Sequence, residues 1–159
     1  DISMVKKNML SESISFPLGV NFIIRGVASA LASSIEEAKS LISLLKDGHA
    51  SEIEAKKIEG ALNELRIKWL NKFQESLANI SNDISIPSTI YISIDKDLAD
   101  FFCYAIKTEQ LNQYSFTESK FDIIFLSPEV FHGMATFDNN AVRDPNFIID
   151  SIYINRFLK

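Results

Sequence analysis

The sequence predicts an α/β fold, with a mixed sheet, an N-terminal hairpin and packed helices, one of them long. Two short alternating apolar runs flank a turn at the N-terminus, and a stripe of apolar residues follows helical spacing for about eight turns. Further on, a β-branched strand leads directly into a helix. Because such a strand and helix form half of a βαβ unit, part of the sheet is expected to be parallel.

The N-terminal hairpin is expected from residues 2–5 and 9–16, on either side of a turn at residues 6–8. A Pro-Leu-Gly break at residues 17–19 ends the second strand. Apolar residues at helical spacing between Phe22 and Leu31 then predict a first short helix.

A second short helix is predicted from a capping box. Ser34 can accept a hydrogen bond from the backbone of Glu37, whose carboxylate can reach back to the serine amide. Gly48 is expected to end this helix, because glycine readily adopts the left-handed conformation that follows many helices.

The longest helix is predicted to begin near Ser51 and to carry one apolar stripe. We expect this stripe to pack on a sheet within the molecule. A coiled-coil dimer is the alternative, but the spacing soon leaves a strict heptad. The stripe consists of residues three or four positions apart, namely Ile58, Leu62, Leu65, Trp69, Phe73, Leu77 and Ile80.

The C-terminal half continues the alternation of strands and helices. Residues 90–94 read as a strand, and Asp95 can cap a helix over residues 98–106. Residues 121–126 are too apolar for a one-sided edge and predict a central strand that Pro128 ends. The apolar residues between 147 and 157 could form a last helix or a last strand.

The amino-acid composition indicates a globular protein that does not bind nucleic acid. The 159 residues, 47% apolar and 23% charged, are typical of one globular domain. The net charge of −5 and the scattered basic residues give no positive stripe, so no nucleic acid is expected as a partner. The chain opens on Asp1 and enters a strand at once, and we therefore expect a single domain over residues 1–159 that is part of a longer chain.

Cysteine usage and hydropathy indicate the compartment. The single Cys103 excludes a disulfide within the chain and is expected to be a buried small side chain in a reducing setting. No run of about 18 apolar residues is present, so no transmembrane segment is expected and any membrane association would be indirect. We expect a cytoplasmic protein.

Local motifs indicate no catalytic residues. The five glycines are isolated and match no phosphate-binding loop. His49 and His132 have no second His or Cys at ligand spacing, so no metal is expected. Ser127, Glu129 and His132 are close in sequence, but a hydrolase triad is assembled across a fold and the short run has little specificity.

Three carboxylates, Asp95, Asp97 and Asp100, surround a helix start just after a strand. Ligands bind at such positions in open α/β sheets. The simpler interpretation is that Asp95 and Asp97 complement the dipole of the helix, and we prefer it.

Several stretches of the sequence resemble a known family. Residues 1–10, 15–25 and 34–39 are similar to the second lobe of FtsA- and PilM-type actin homologues. In that family a T-D-I-A-V strand and hairpin lead to P-x-G-G-x-x-I-T and then to an S-x-E-E-A-E helix. The resemblance is strongest over residues 1–45 and continues, by order of elements, through the long helix to residues 87–92.

The resemblance implies a partial actin-like lobe of the ribonuclease H-like kind. Family members use ATP at the hinge between two lobes and assemble into filaments or membrane-associated scaffolds for bacterial division or type IV pili. Ser93, Asp95 and Lys96 occupy the place of the adenosine-binding turn and are the candidate cofactor-binding residues. The family has a glycine pair there, and Val20 stands where it has a second glycine after Gly19.

These departures favour a non-catalytic lobe that acts through protein partners or self-assembly. The resemblance then implies degenerate nucleotide binding with no cofactor in this lobe, while ATP and Mg²⁺ remain possible in the longer chain. A protein-binding α/β module that stands alone and uses no ATP is the alternative.

Overall fold

A computed structural model describes residues 1–6, 9–80, 89–94, 96–108, 122–136, 138, 140 and 144–157. These residues form both α-helices and β-strands, which agrees with the α/β prediction. In chain order the elements are β1 (Ile2–Lys6), β2 (Met9–Ile14), α1 (Val20–Leu31), α2 (Ile35–Lys46), α3 (Glu52–Ile80), β3 (Thr89–Ile92), α4 (Lys96–Thr108), β4 (Asp122–Phe125), a 3₁₀ helix (Pro128–Phe131) and α5 (Pro145–Phe157).

The strands form an antiparallel hairpin and a parallel pair. β1 pairs with β2 from Ile2 opposite Ile14, with an irregularity between Met4 and Val5. β3 pairs with β4 in parallel, from Thr89 opposite Asp122. The predicted hairpin and the predicted parallel pairing are therefore confirmed.

The predicted single mixed sheet is not formed by the residues that the structure describes. There the hairpin and the parallel pair are two separate sheets of two strands each. β4, which was expected to be central, pairs only with β3 in this part of the chain. Its apolar residues are half-buried, and Ile123 packs against the core. The apolar residues of β4 therefore indicated that the strand is partly buried. They did not indicate how many strands pair with it.

The ends of α2 follow the predicted signals. Ser34 Oγ accepts a hydrogen bond from the amide of Glu37 at 3.1 Å, which satisfies one of the free donors of the first turn. At the other end Gly48 has a φ of 72°, and the amide of His49 donates to the carbonyl of Leu44 at 2.8 Å. Gly48 therefore reverses the chain in the left-handed conformation that glycine adopts at little cost.

Helix α3 begins with a reciprocal capping box that sequence analysis did not recognise. The Glu54 carboxylate accepts from the Ser51 amide at 3.2 Å, while the Glu54 amide donates to Ser51 Oγ at 3.4 Å. The Ser51 hydroxyl also donates to this carboxylate, and that bond is the main reason why the pKa of Glu54 lies below its ordinary value. The box anchors the start of the helix that contributes more buried core residues than any other described element.

The apolar stripe of α3 is buried as predicted, apart from the half-buried Leu62. Its main neighbours are α1 and α4, with smaller contacts to α2 and β2, so the stripe packs within the molecule as expected but on helices more than on a sheet. Gly26 of α1 explains the close approach, since a Cβ there would lie 2.3 Å from Leu65 Cδ2. The missing side chain lets α1 and α3 pack tightly.

The C-terminal segment that the sequence left undecided is a helix. α5 contacts the 3₁₀ helix, and Ile148 and Phe131 are buried in these two elements. Other apolar side chains of α5 remain exposed, among them Phe147, Tyr153 and Ile154.

Two remaining expectations concern burial and membranes. Cys103 is half-buried, so its expected full burial is wrong, although it lies on the helix that carries the buried Phe102. Among the helices that the structure describes, none combines the length and the apolar character needed to cross a bilayer.

Candidate binding groove

A groove of about 560 Å³ lies between the two sheets. One wall is β1 and the other is β3, while apolar residues of α3 and α4 form the floor. We call this feature the inter-sheet groove. It is larger than the second cavity, which lies between helices and is described later in this section.

The groove meets both sheets along their edges. Residues 1–5 and residues 89–94 line it without a gap. Successive strand residues point to opposite faces, so a groove over a face would touch every second residue. In the described residues β1 pairs only with β2 and β3 only with β4. The edges that border the groove therefore present backbone N–H and C=O groups without a sheet partner in this part of the chain.

The floor is an aromatic cluster around Trp69. Its ring stacks on Phe73 with centroids 4.8 Å apart and meets Phe102 edge-on at 5.1 Å. Phe16 lies tilted at 6.2 Å. Trp69, Phe73 and Phe102 are buried, so packing holds their rings in place. The floor is a rigid apolar surface.

The groove carries almost no charge. Among the described residues that line it, Asp1 is the one Asp, Glu, Lys, Arg or His, and its carboxylate accepts a hydrogen bond from Ser15. Half-buried apolar residues, including Ile90, Ile92 and Ile94, border the floor and pack against the core. The groove is therefore suited to an apolar occupant.

The predicted nucleotide contacts are only partly within the described residues. Ser93 lies at the end of the β3 wall, and its hydroxyl donates to the side-chain oxygen of Asn146 on α5 at 3.1 Å. Asp95 lies outside the described residues. Lys96 begins α4, but its side chain is not described either.

The described residues that line the groove offer no cationic side chain to a phosphate group, while the adenosine contact that the resemblance assigns to Ser93, Asp95 and Lys96 stays a prediction. A triphosphate needs cationic side chains or converging backbone amides, and no basic residue lines the groove in the described part of the chain. The one predicted contact that can be examined, Ser93, already binds a side chain of the protein.

A second cavity of about 380 Å³ lies between α2, α3 and α4, and we call it the helical cleft. Asp97 bridges two of its walls, with Lys46 Nζ 3.1 Å from Oδ1 and Ser43 Oγ donating to Oδ2 at 3.2 Å. The Lys46 ammonium, followed by Ser43, holds the pKa of Asp97 below its ordinary value. Asp97 thus links α4 to α2 in addition to standing in the first turn of its helix.

Arg66 also lines the helical cleft, with its guanidinium carbon 4.8 Å from the ring centroid of Tyr104. This cation–π contact joins α3 to α4. The cleft therefore brings several charged side chains together, but two of its cations already contact other residues of the chain.

Metal-ligating side chains do not cluster in the described residues, where no group of three His, Cys, Asp or Glu could hold an ion. His49 and His132 are both exposed.

No protein-family model matches the chain, and no curated protein or solved structure is significantly similar to it. The geometry of the two cavities and the sequence itself are therefore the grounds for a functional proposal.

Sequence analysis missed the inter-sheet groove although it predicted each of its parts. It placed β1 and β3 as strands and Trp69 and Phe73 on a buried stripe. The pairing of strands is a long-range property, and alternation of apolar residues does not report which strands are neighbours. An unpaired edge therefore leaves no local signal in the sequence.

Proposed function

We propose that this chain is a non-catalytic, protein-binding lobe of an actin-like scaffold protein for bacterial division or pilus assembly. It acts through contacts with other proteins, with degenerate nucleotide binding. The resemblance of residues 1–45 to FtsA- and PilM-type proteins supports the actin-like class. The inter-sheet groove supports protein binding.

One observation carries the proposal of protein binding: in the described residues, two strands with no second sheet neighbour border one apolar groove over packed aromatic side chains. Exposed edges are templates for pairing with another chain, and natural proteins cover, shorten or charge them. The edges of β1 and β3 instead border an almost uncharged groove. Such a combination is typical of a surface that a partner covers.

No cofactor is proposed for this lobe. ATP and Mg²⁺, if the longer chain binds them, would be held with another lobe. The bond from Ser93 to Asn146 favours the second candidate, a protein-binding module that uses no ATP, because it occupies the hydroxyl that the resemblance assigns to the nucleotide. Both candidates act through protein contacts and differ only in the longer chain's use of ATP.

Site-specific photo-crosslinking tests protein binding. A photoreactive residue replaces Tyr91, which is 62% exposed on the groove wall, or Ile67, which is 58% exposed on α3 and lines neither cavity. In the cells that make the protein, we expect discrete protein adducts at position 91 and not at position 67. No adduct at position 91, or the same adducts at both, would contradict the proposal.

Calorimetric titration of ATP with Mg²⁺ separates the two candidates. We expect no binding heat with this chain. Binding by a longer chain that includes the expected first lobe would support the actin-like scaffold, and its absence would support the module without ATP. Tight binding by residues 1–159 alone would contradict both.

A further inference from the structure

We infer that the helical cleft between α2, α3 and α4 is a second docking site, which takes a basic segment of a partner protein. Arginine side chains of that segment would meet the carboxylates of Glu59 and Asp100, and an apolar neighbour would lie on the floor of the cleft. The inference rests on the proposed action through protein contacts, but it concerns a different surface from the inter-sheet groove.

Two walls of the cleft each follow one side of a helix. Glu59 and Arg66 lie seven residues apart on α3, and Asp97 and Tyr104 lie seven residues apart on α4. Each wall therefore runs for two helical turns, or about 10 Å. Apart from the first turn of α4, the backbone N–H groups of these walls are bonded within their helices. Recognition must therefore rest mainly on side chains.

The floor of the cleft is apolar. Ile42 and Leu98 are buried there, and Leu45, Leu62 and Phe101 are half-buried. The volume of about 380 Å³ lies at the lower end of the range of ligand-binding pockets. A few side chains of a partner can therefore enter the cleft, while the rest of the partner stays outside.

The charges that line the cleft are unequally engaged. Each of its two cations already contacts a residue across the cleft. In contrast, the side chains of Glu59 and Asp100 form no ion pair or hydrogen bond with the part of the chain that the structure describes. The lining also has one more carboxylate than cation. A positively charged occupant is therefore complementary to the cleft.

The charge of the whole chain favours a basic partner as well. A net charge of −5 repels polyanions and a second copy of this chain. Arginine fits better than lysine, because a guanidinium pairs with a carboxylate through two hydrogen bonds and stacks on aromatic rings. Phe101 and Tyr104 provide such rings on the helix that carries Asp100, and Tyr104 lies one turn from it.

An NMR titration of the chain with a short peptide tests the inference and maps the site. The probe is an acetylated and amidated pentapeptide of alternating leucine and arginine. Its control carries citrulline, the uncharged isostere of arginine, in place of both arginines. We expect saturable shifts of the amide signals of Glu59, Asn63 and Asp100, with at least about threefold weaker binding of the citrulline peptide. No saturable shift at these positions, or equal affinity of both peptides, would overturn the inference.

Charge-removing variants link the binding to the cleft. Glu59 lines the cleft, whereas Glu64 is exposed on the same helix and lines neither cavity. We expect Glu59→Gln combined with Asp100→Asn to bind the arginine peptide at least about threefold more weakly, while Glu64→Gln binds it as the wild type does. Circular dichroism verifies that the variants are folded. Equal affinities of the double variant and Glu64→Gln would overturn the inference.

Two further measurements separate a protein segment from other occupants. Ethylguanidinium carries the charge of the arginine side chain without an apolar neighbour, and we expect it to bind more weakly than the peptide. If it binds as tightly, the cleft recognises a small cation. If the signals of Glu59 and Asp100 shift with protein concentration in the absence of peptide, a second copy occupies the cleft. Either result overturns the docking of a partner segment.

Failure of this inference is distinguishable from failure of the proposed function. If the arginine peptide does not bind but the residue at position 91 still cross-links to a protein, only the cleft loses its partner and the proposed function stands. If the peptide binds the cleft but position 91 gives no adduct, the proposal for the inter-sheet groove fails and the inference about the cleft stands.

Discussion

The inter-sheet groove and the helical cleft lie on either side of the same packed helices but differ in what forms their walls. The groove is bounded by backbone edges over buried aromatic rings, and Asp1 is its one charge among the described residues. The cleft is bounded by helices whose backbones are internally bonded, and Lys46, Asp97, Arg66 and Tyr104 connect them across it.

The difference shows which of the two regions leaves more polar groups without a bonding partner among the described residues. Side chains at the walls of the cleft already contact each other, so the described structure satisfies many of its polar groups. Backbone groups along the second edges of β1 and β3 have no sheet partner in the described residues, and such groups must be satisfied by another chain segment or by water. Four substitutions sharpen this contrast, from the largest expected effect to the smallest.

Trp69→Ala is expected to have the largest effect, because it removes the centre of the groove floor. Truncation of a buried aromatic residue costs about 3–5 kcal/mol in the free energy of unfolding. Urea denaturation followed by circular dichroism measures this loss. The matched change in the cleft, Tyr104→Ala, removes a 57% exposed ring and is expected to cost about 1 kcal/mol or less. Equal costs would show that the two regions contribute alike to the core.

Gly26→Ala tests the close contact between α1 and α3, the helix that lines both the groove and the cleft. The new Cβ would meet Leu65 Cδ2 at 2.3 Å, and Leu65 is buried, so we expect a loss of about 1–3 kcal/mol. Gly60→Ala is the control, since it lies on the same helix as Leu65, is exposed and would meet nothing within 4 Å. It should gain about 0.5–1 kcal/mol from helix propensity. A gain in both variants, measured by thermal or urea unfolding, would mean that the α1–α3 contact is looser than described.

Ser34→Ala removes the cap of α2, which forms a wall of the cleft and not of the groove. A lost N-cap costs about 1 kcal/mol, while the emission of Trp69 should stay unchanged in the folded variant. Ser40→Ala serves as the control because Ser40 is exposed within the same helix and its hydroxyl donates only to the Glu36 carbonyl in the described contacts. If the two alanine variants unfold at the same urea concentration, the Ser34 cap contributes nothing.

Asp97→Asn is expected to have the smallest effect and a defined pH dependence. The pKa of Asp97 in the folded protein is lowered from its ordinary value, first of all by the Lys46 ammonium, so the stability that its carboxylate contributes is present at neutral pH and is lost as the pH falls from that ordinary value through the folded-state pKa. Because the side chain is 60% exposed, the contribution stays within about 0.2–1 kcal/mol.

Denaturation of wild type and Asp97→Asn at neutral pH and near pH 3 measures this difference, which should shrink in acid. Lys46→Met is expected to cause a similar loss at neutral pH, and the double variant should lose less than the sum of the two. A difference that grows in acid would contradict the described pair.

The sequence by itself determined the local elements and the burial of their faces. The stripe of α3, the cap at Ser34 and the reversal at Gly48 were all readable, because spacing and capping depend on residues within one or two turns. The capping box of Ser51 and Glu54 carried the same signal and could have been found. The parallel pairing of β3 with β4 followed from the chain passing through α4 between them.

Only the tertiary structure decided that the two strand pairs are separate in the described residues and what lies between them. The separation of the two sheets, the unpaired edges of β1 and β3 and the bond from Ser93 to Asn146 join segments that are far apart along the chain. The spacing of apolar residues indicates whether one face of a helix or strand is buried. It does not indicate whether the edge of a strand is paired, because every edge carries the same backbone groups whatever its side chains are. The groove is therefore a property of how the elements pack, although the sequence predicted its strands and its aromatic floor separately.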